Sequence, residues 1–188
     1  MQLTAKISAI NRLYRRLDNH ISIFREKSGL LCPAGCGKCC MKQDINATIL
    51  EFLPAARLMY ISGVHEDILA DLEKRNEDKI CIFFDPDENE GNCSCYPYRG
   101  LICRLFGFST RNDKYGERSL LTCKEIKKMV DHNHIAKHLS YAPSISEYYM
   151  RLFAIDPNLS LQQLPVNECI TKAIEIVGLN YHFRKKPA

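Results

Sequence analysis

The chain lacks the marks of several large functional classes. No stretch approaches the ~18 consecutive apolar residues of a membrane span. The opening MQLTAKISAINRLYRR has no apolar run of the kind found in secretory leaders, so none is expected. Charge of one sign is not in excess: 26 Lys and Arg stand against 22 Asp and Glu, a net charge of +4, and the basic residues are scattered. Such a balance makes no demand for nucleic acid. The one basic run, Arg184-Lys185-Lys186, reads as a solvated terminus. There is no Gly-rich phosphate loop, no Ser/His/Asp arrangement, no internal repeat and no low-complexity segment. The acidic residues Asp85, Asp87, Glu88 and Glu90 lack EF-hand order, which leaves a solvated turn.

What the chain does have is cysteine. Ten stand in 188 residues, about 5%, below the roughly 8–10% of short secreted disulfide scaffolds. With no leader and no span, reduced thiols in the cytoplasm are expected. Four of the ten crowd into CPAGCGKCC as Cys32, Cys36, Cys39 and Cys40. A buried core has no use for that density, whereas thiolates at short spacing make a metal or iron–sulfur ligand loop. Gly35 and Gly37 let the backbone wrap tightly, so that several sulfurs can face one centre.

The rest is compatible with one domain spanning residues 1–188, with 46% hydrophobic and 26% charged residues. Ile7, Ile10, Leu13, Tyr14, Leu17, Ile21 and Phe24 recur at steps of three and four and predict a helix over 4–27, ended by Ser28-Gly29. A second helix is expected after an Asn46 cap, with Ile49, Leu50, Leu53, Ala56 and Leu58 inward and a kink or end at Pro54. A third runs from Glu66 to Asp78, burying Ile68, Leu69 and Leu72. Ile80–Phe84 reads as a short strand and DPDENEGN as a turn. The aromatic segment CSCYPYRGLICRLFGFS reads as loops and short extended pieces, followed by a turn at Asp113–Gly116. Helical pattern returns over Cys123 to about Leu139, Ser144–Phe153 and Pro165–Val177, the last ended by Gly178. The expected fold is therefore mainly α: helices bracketing a short β element and irregular cysteine-rich loops around a metal or iron–sulfur centre.

Three later cysteines sit in recognisable settings: Cys81-Ile82-Phe83-Phe84, Cys95-Tyr96-Pro97-Tyr98-Arg99 and Cys103-Arg104-Leu105-Phe106. Together with CPAGCGKCC they resemble the CxxCxxCC cysteine-cluster family of zinc- or iron-chelating and iron–sulfur-cluster-containing proteins. The resemblance runs from Cys32 to about Cys123, and its most specific parts are the four-cysteine loop and the Cys-Arg pair. Two departures stand out. The first gap, Cys32 to Cys36, is three residues where the family name implies two, and Arg99-Gly100 replaces the family's usual Arg-Pro. Eight cysteines match the resemblance: Cys32, Cys36, Cys39, Cys40, Cys81, Cys95, Cys103 and Cys123, with Cys93 an alternative to Cys95. Eight thiolates suffice for two four-thiolate sites, or for one site with thiols to spare. Adjacent side chains tend to point apart, so Cys39 and Cys40 are expected to serve different centres or different irons of one cluster. Cys169, on the apolar side of a helix, is expected in the core. Arg99 and Arg104, beside ligand cysteines, either offset thiolate charge or lie on the surface.

Zinc and iron–sulfur clusters both take tetrahedral thiolates. Widely spread ligands with no His at matching spacing favour an iron–sulfur cluster, with zinc as the alternative. The leading expectation is a cytoplasmic iron–sulfur protein in electron transfer, redox sensing or metal handling, with an unspecified protein or small molecule as partner. Whether it is an enzyme stays open. Cys32-x3-Cys36-x2-Cys39 has the spacing of the radical S-adenosylmethionine loop, but Lys38 stands where that family usually has an aromatic residue, and no strand–helix series appears. Flagellin lysine methylases, longer relatives of the cysteine-cluster family, share the loop, so a second alternative is an S-adenosylmethionine-dependent protein-modifying enzyme. A third is a zinc-stapled interaction module. His132, His134 and His138 form a small cluster that reads better as a polar face than as ligands. Tyr96, Tyr98, Tyr148 and Tyr149 lack a basic groove for base stacking and read as packing.

Overall fold

The structure is a computed structural model that describes residues 1–33, 36–75, 80–85, 92–129 and 131–184. Gly35, residues 76–78 of the expected third helix, most of the DPDENEGN turn and Lys185-Lys186 lie outside the described residues. Among the described residues the chain is mainly helical, with three two-stranded antiparallel ladders. No helix there is long and apolar enough to cross a membrane.

Helix α1 (Leu3–Ser28) buries the seven residues that its periodicity marks, Ile7 through Phe24. It stops at Gly29, whose φ of 66° is left-handed and whose N–H closes on the Arg25 carbonyl at 2.9 Å. The cysteine loop leaves from this end.

The next element differs from expectation. Asn46 is not a cap: it opens a short strand, β1 (Asn46–Thr48), which pairs with β6 (Gln163–Pro165) in the register Asn46↔Pro165. The cap of α2 (Ile49–Ser62) is Thr48, in a capping box with Glu51. Pro54 lies inside α2 without ending it, and Leu58 is only half-buried while Met59 takes the core position. Helix α3 (His65–Lys74) buries Leu72, with Ile68 and Leu69 half-buried.

The middle is shorter in strand and richer in helix than its sequence suggests. The strand expected at Ile80–Phe84 is limited to β2 (Phe84–Asp85), paired with β3 (Asn92–Cys93). A 3₁₀ turn at Tyr96–Tyr98 leads into the short helix α4 (Leu101–Leu105). A hairpin of β4 (Ser109–Asn112) and β5 (Arg118–Leu121) flanks the expected Asp113–Gly116 turn. The helix expected from Cys123 to Leu139 divides into α5 (Lys124–Met129) and α6 (His132–His138), the second capped by the Asp131 side chain accepting from the Asn133 N–H. Helices α7 (Ile145–Phe153) and α8 (Pro157–Ser160) follow.

Pro165 is the last residue of β6, and α9 (Val166–Arg184) begins after it and runs straight through Gly178. The glycine serves packing rather than termination. A Cβ there would overlap the Tyr60 hydroxyl of α2, and α2 and α9 form the main helix pair of the molecule. Cys169, Ile170, Ala173, Ile174 and Val177 of α9 join Leu50, Leu53 and Met59 of α2 and the buried stripe of α1 in the principal core. A smaller cluster, with Phe24, Leu30, Ile126, Ile135 and Ala142, packs the far end of α1 against α5 and α6.

Alanine is the better helix former by ~1 kcal/mol, yet Gly178→Ala is expected to lower the thermal midpoint, because Tyr60 is stacked between His65 and Tyr181 and must leave that position. In a Tyr60→Ala background the same change should raise the midpoint. Thermal unfolding of the four proteins reads the change of sign.

Candidate metal centre

The four-cysteine loop has little to hold it by packing. Its backbone bonds are turn closures, Cys36 N–H to the Pro33 carbonyl at 3.2 Å and Cys40 N–H to the Gly37 carbonyl at 2.8 Å. Leu31 and Met41, at its two ends, are about half exposed. None of the ten cysteines is in a disulfide.

Nine of them lie in two electrostatic neighbourhoods. In the first, Cys32 is an exposed residue whose thiol is only partly covered; that partial covering and then the nearby sulfurs of Cys36, Cys39 and Cys123 push the thiol up to about 11. In the second, burial followed by Cys93 and Cys81 takes Cys95 up to about 12, and burial takes Cys81 to about 11. Cys103 is likewise raised, by burial first and then by Cys81 and the Glu51 carboxylate, with Arg99 opposing. Cys93 is raised by burial, with Cys39 adding to the effect. Cys39 and Cys40 join the two sets: Cys39 bears on Cys32 and Cys93, and Cys93 and Cys103 bear on Cys40.

The adjacent pair departs from expectation. The Cys39 and Cys40 sulfurs do not point apart; they face each other at 4.0 Å. Two thiolates bound ~2.3 Å from one tetrahedral ion would lie roughly 3.8 Å apart, so the separation is compatible with a shared ion. A single proton between the two sulfurs favours one thiolate. The hydrogen bond from Cys40 lowers Cys39, which also accepts backbone N–H groups and feels Arg99, while the second ionisation, at Cys40, is strongly resisted.

Among the described residues no three His, Cys, Asp or Glu side chains converge tightly enough to hold an ion as they stand. The donor chemistry nevertheless fits a thiolate-loving metal: soft sulfurs in two adjoining groups, with cationic arginine beside them. His134 and His138 of α6 lie with their ring centroids 4.8 Å apart and their planes tilted by 55°.

The arginines differ from each other. Arg104 is not a surface residue: it is 7% exposed, donating to both Asp18 oxygens at 2.7 and 2.6 Å, to the Pro97 carbonyl at 2.5 Å and to the Arg99 carbonyl at 3.0 Å, above the Tyr14 ring. It staples the turn that carries Cys95 to α1. Arg99 stacks on Tyr96 and lowers Cys39, Cys93 and Cys103 in turn. Its charge offsets thiolates; Arg104 mainly holds backbone, and only weakly eases Cys95.

Sequence reasoning missed Glu51, which is fully buried. Its carboxylate accepts from the Thr48 N–H at 2.9 Å and the Thr48 hydroxyl at 3.1 Å, closing α2, and from the Ile102 N–H at 2.9 Å, closing α4. Tyr149 donates to it at 3.4 Å, and Tyr14 donates to the Glu51 carbonyl at 2.8 Å. The legible signal was Thr48-x-x-Glu51 before an apolar run. Gly100 now has a reason. A Cβ there would meet the Phe52 ring at 2.9 Å and the Glu51 Oε2 at 3.1 Å, so the chain passes where only glycine fits. Cys169 is fully buried in the principal core, donating to the Ala47 carbonyl at 3.2 Å.

Residues 31–135 match the family model CxxCxxCC, described as "Putative zinc- or iron-chelating domain". The match covers more than half of the chain, and the protein belongs to this family. It takes in the nine clustered cysteines and Glu51, and excludes Cys169. No curated protein and no solved structure matches the chain.

The raised thiols set a pH dependence. An acid held above its ordinary value of 9.0 favours its neutral form in the fold. The stability it contributes is present below pH 9 and lost as pH rises toward 11–12. The thermal midpoint of chelator-treated protein should therefore fall across this window, and fall less in Cys95→Ala. Metal affinity should move the opposite way, rising with pH as thiol protons are released. A midpoint flat to pH 11 would contradict the burial assigned to these thiols.

Proposed function

We propose that this zinc- or iron-chelating family member is an iron–sulfur protein of the cytoplasm, serving redox chemistry or metal handling. The proposed ligands are drawn from Cys32, Cys36, Cys39, Cys40, Cys81, Cys95, Cys103 and Cys123. The observation that carries the reading is the joining of two thiol neighbourhoods at Cys39 and Cys40. One four-thiolate ion must gather its ligands around a single point, within one neighbourhood or at the join. A cluster with more than one iron also takes four thiolates, but it spaces them over its irons and so can draw them from both sides. When bound, such a centre supplies one-electron chemistry; the chain's own part is to present thiolates, place Arg99 against their charge and exclude water on the α4 side. The density of free, oxidisable thiols supports a reducing compartment.

Zinc is the second reading, favoured by the 4.0 Å separation of Cys39 and Cys40, which suits one tetrahedral ion. Anaerobic purification separates the two. Coloured protein with iron and acid-labile sulfide is expected; stoichiometric zinc without iron would reject the cluster and leave chelation standing.

Ligands and bystanders separate by substitution. Serine does not replace thiolate at a soft site, whereas a buried thiol is only a small side chain. Cys39→Ser, Cys40→Ser and Cys103→Ser should each lower metal per chain sharply. Cys169→Ala should retain full metal and cost on the order of 1 kcal/mol. Equal metal loss in Cys169→Ala would overturn the division.

A further inference from the structure

On the side of α1 next to its buried stripe lies an open cleft of about 540 Å³. One wall is Ser8, Asn11, Arg12 and Arg15 of α1, a row at helical spacing. Pro54 of α2 and the Pro97-Tyr98 turn form the other side, and Tyr14 and Arg104 are its floor.

Its charges are unequal. The carboxylate lining it, Asp18, is taken by both of its oxygens in the pair with Arg104. Arg12 and Arg15 form no ion pair among the described residues, and neither they nor Ser8 and Asn11 have a side-chain hydrogen bond there. Two guanidinium forks one turn apart thus face a cleft whose lining carboxylate is already paired, beside further unengaged donors. That is the chemistry of a tetrahedral dianion, which accepts from two forks at once. The opposite wall is different in kind. Pro54, Pro97 and the Tyr98 ring, 39% exposed, offer a flat apolar surface, and the volume lies in the range of small-molecule sites.

We infer that this cleft binds a small organic phosphate monoester, its phosphate on Arg12 and Arg15 and its body against Pro97 and Tyr98. The site is separate from the thiols and does not depend on which metal they hold. Its ligand would nevertheless rest on Arg104, which grips the backbone between Cys95 and Cys103.

The test is calorimetric titration of the full chain with phenyl phosphate at low salt, with metal content measured on the same samples. Saturable binding at one site per chain is expected. Affinity should drop at least tenfold in Arg12→Gln/Arg15→Gln and stay within about twofold in Arg16→Gln, an exposed arginine outside the cleft. Tyr98→Ala should weaken phenyl phosphate while leaving inorganic phosphate unchanged. Absence of saturable binding, equal loss in Arg16→Gln, or benzyl alcohol binding as well as phenyl phosphate would each overturn the proposal. Since both arginines are exposed, the double variant should keep the parent thermal midpoint and metal content, so a failure of the metal reading shows separately.

Discussion

The carboxylate of Glu51 ties together parts of the chain that sequence keeps far apart. Fully buried, it accepts from the first turns of two helices, α2 through Thr48 and α4 through Ile102, and from Tyr149 of α7, while its carbonyl takes the Tyr14 hydroxyl of α1. Burial disfavours its charged form and raises its pKa, and the donors around it, the Ile102 and Thr48 N–H groups first, oppose that rise. Removing any one donor would leave a buried acceptor short, a cost of about 1–3 kcal/mol. The geometry is therefore over-determined, and Cys103 inherits it, being the third residue of a helix whose start is pinned to that carboxylate. Gly100 belongs to the same constraint, because a side chain there would press on both Glu51 and Phe52.

The same carboxylate makes the thiol site demanding. Cys103 is asked to ionise next to a buried acid and near Cys81, with Arg99 as the opposing charge, since Arg104 spends its charge on Asp18. Burial raises Cys81, Cys93 and Cys95 as well. Left to themselves these thiols stay protonated at neutral pH. A bound cation changes that balance, because it supplies local positive charge that the chain does not. The ease with which the Cys39–Cys40 pair loses its first proton gives the metal a place to begin.

Where the chain has regular periodicity, its elements are legible. The stripe from Ile7 to Phe24 became one helix with the same seven residues buried, and Ser144–Phe153 became α7 with Ser144 as its cap. Legibility fails where tertiary contact overrides local grammar. Asn46 is a good cap by type, but its backbone is claimed by Pro165 across a ladder that local sequence cannot announce. Gly178 looks like a helix end, and is glycine because Tyr60 occupies the space of a side chain. Pro97 and Gly100 suggested loop throughout a segment in which α4 forms, because the Glu51 carboxylate supplies a helix start from 51 residues away. The family was readable from thiol spacing; the buried acid that orders the thiols was visible only as half of a capping box.

The placement of the thiols explains why so irregular a stretch lies between ordinary helices. Residues 36–44 contribute almost no buried apolar side chain, and the loop's contact with α5 through Lys38 and Glu125, at 3.6 Å and largely solvated, is worth at most about 1 kcal/mol. Ordering each backbone residue costs roughly 1–2 kcal/mol. Hydrophobic burial cannot offset that here. Metal–thiolate bonds can, and they would act where the deficit lies: Cys32 on the loop feels Cys123 at the start of α5 as well as Cys36 and Cys39, while Cys40 feels Cys93 and Cys103. A centre held from both sides would connect the smaller cluster around Phe24 and Ile126 to the principal core, replacing with coordination the packing that this part of the chain does without.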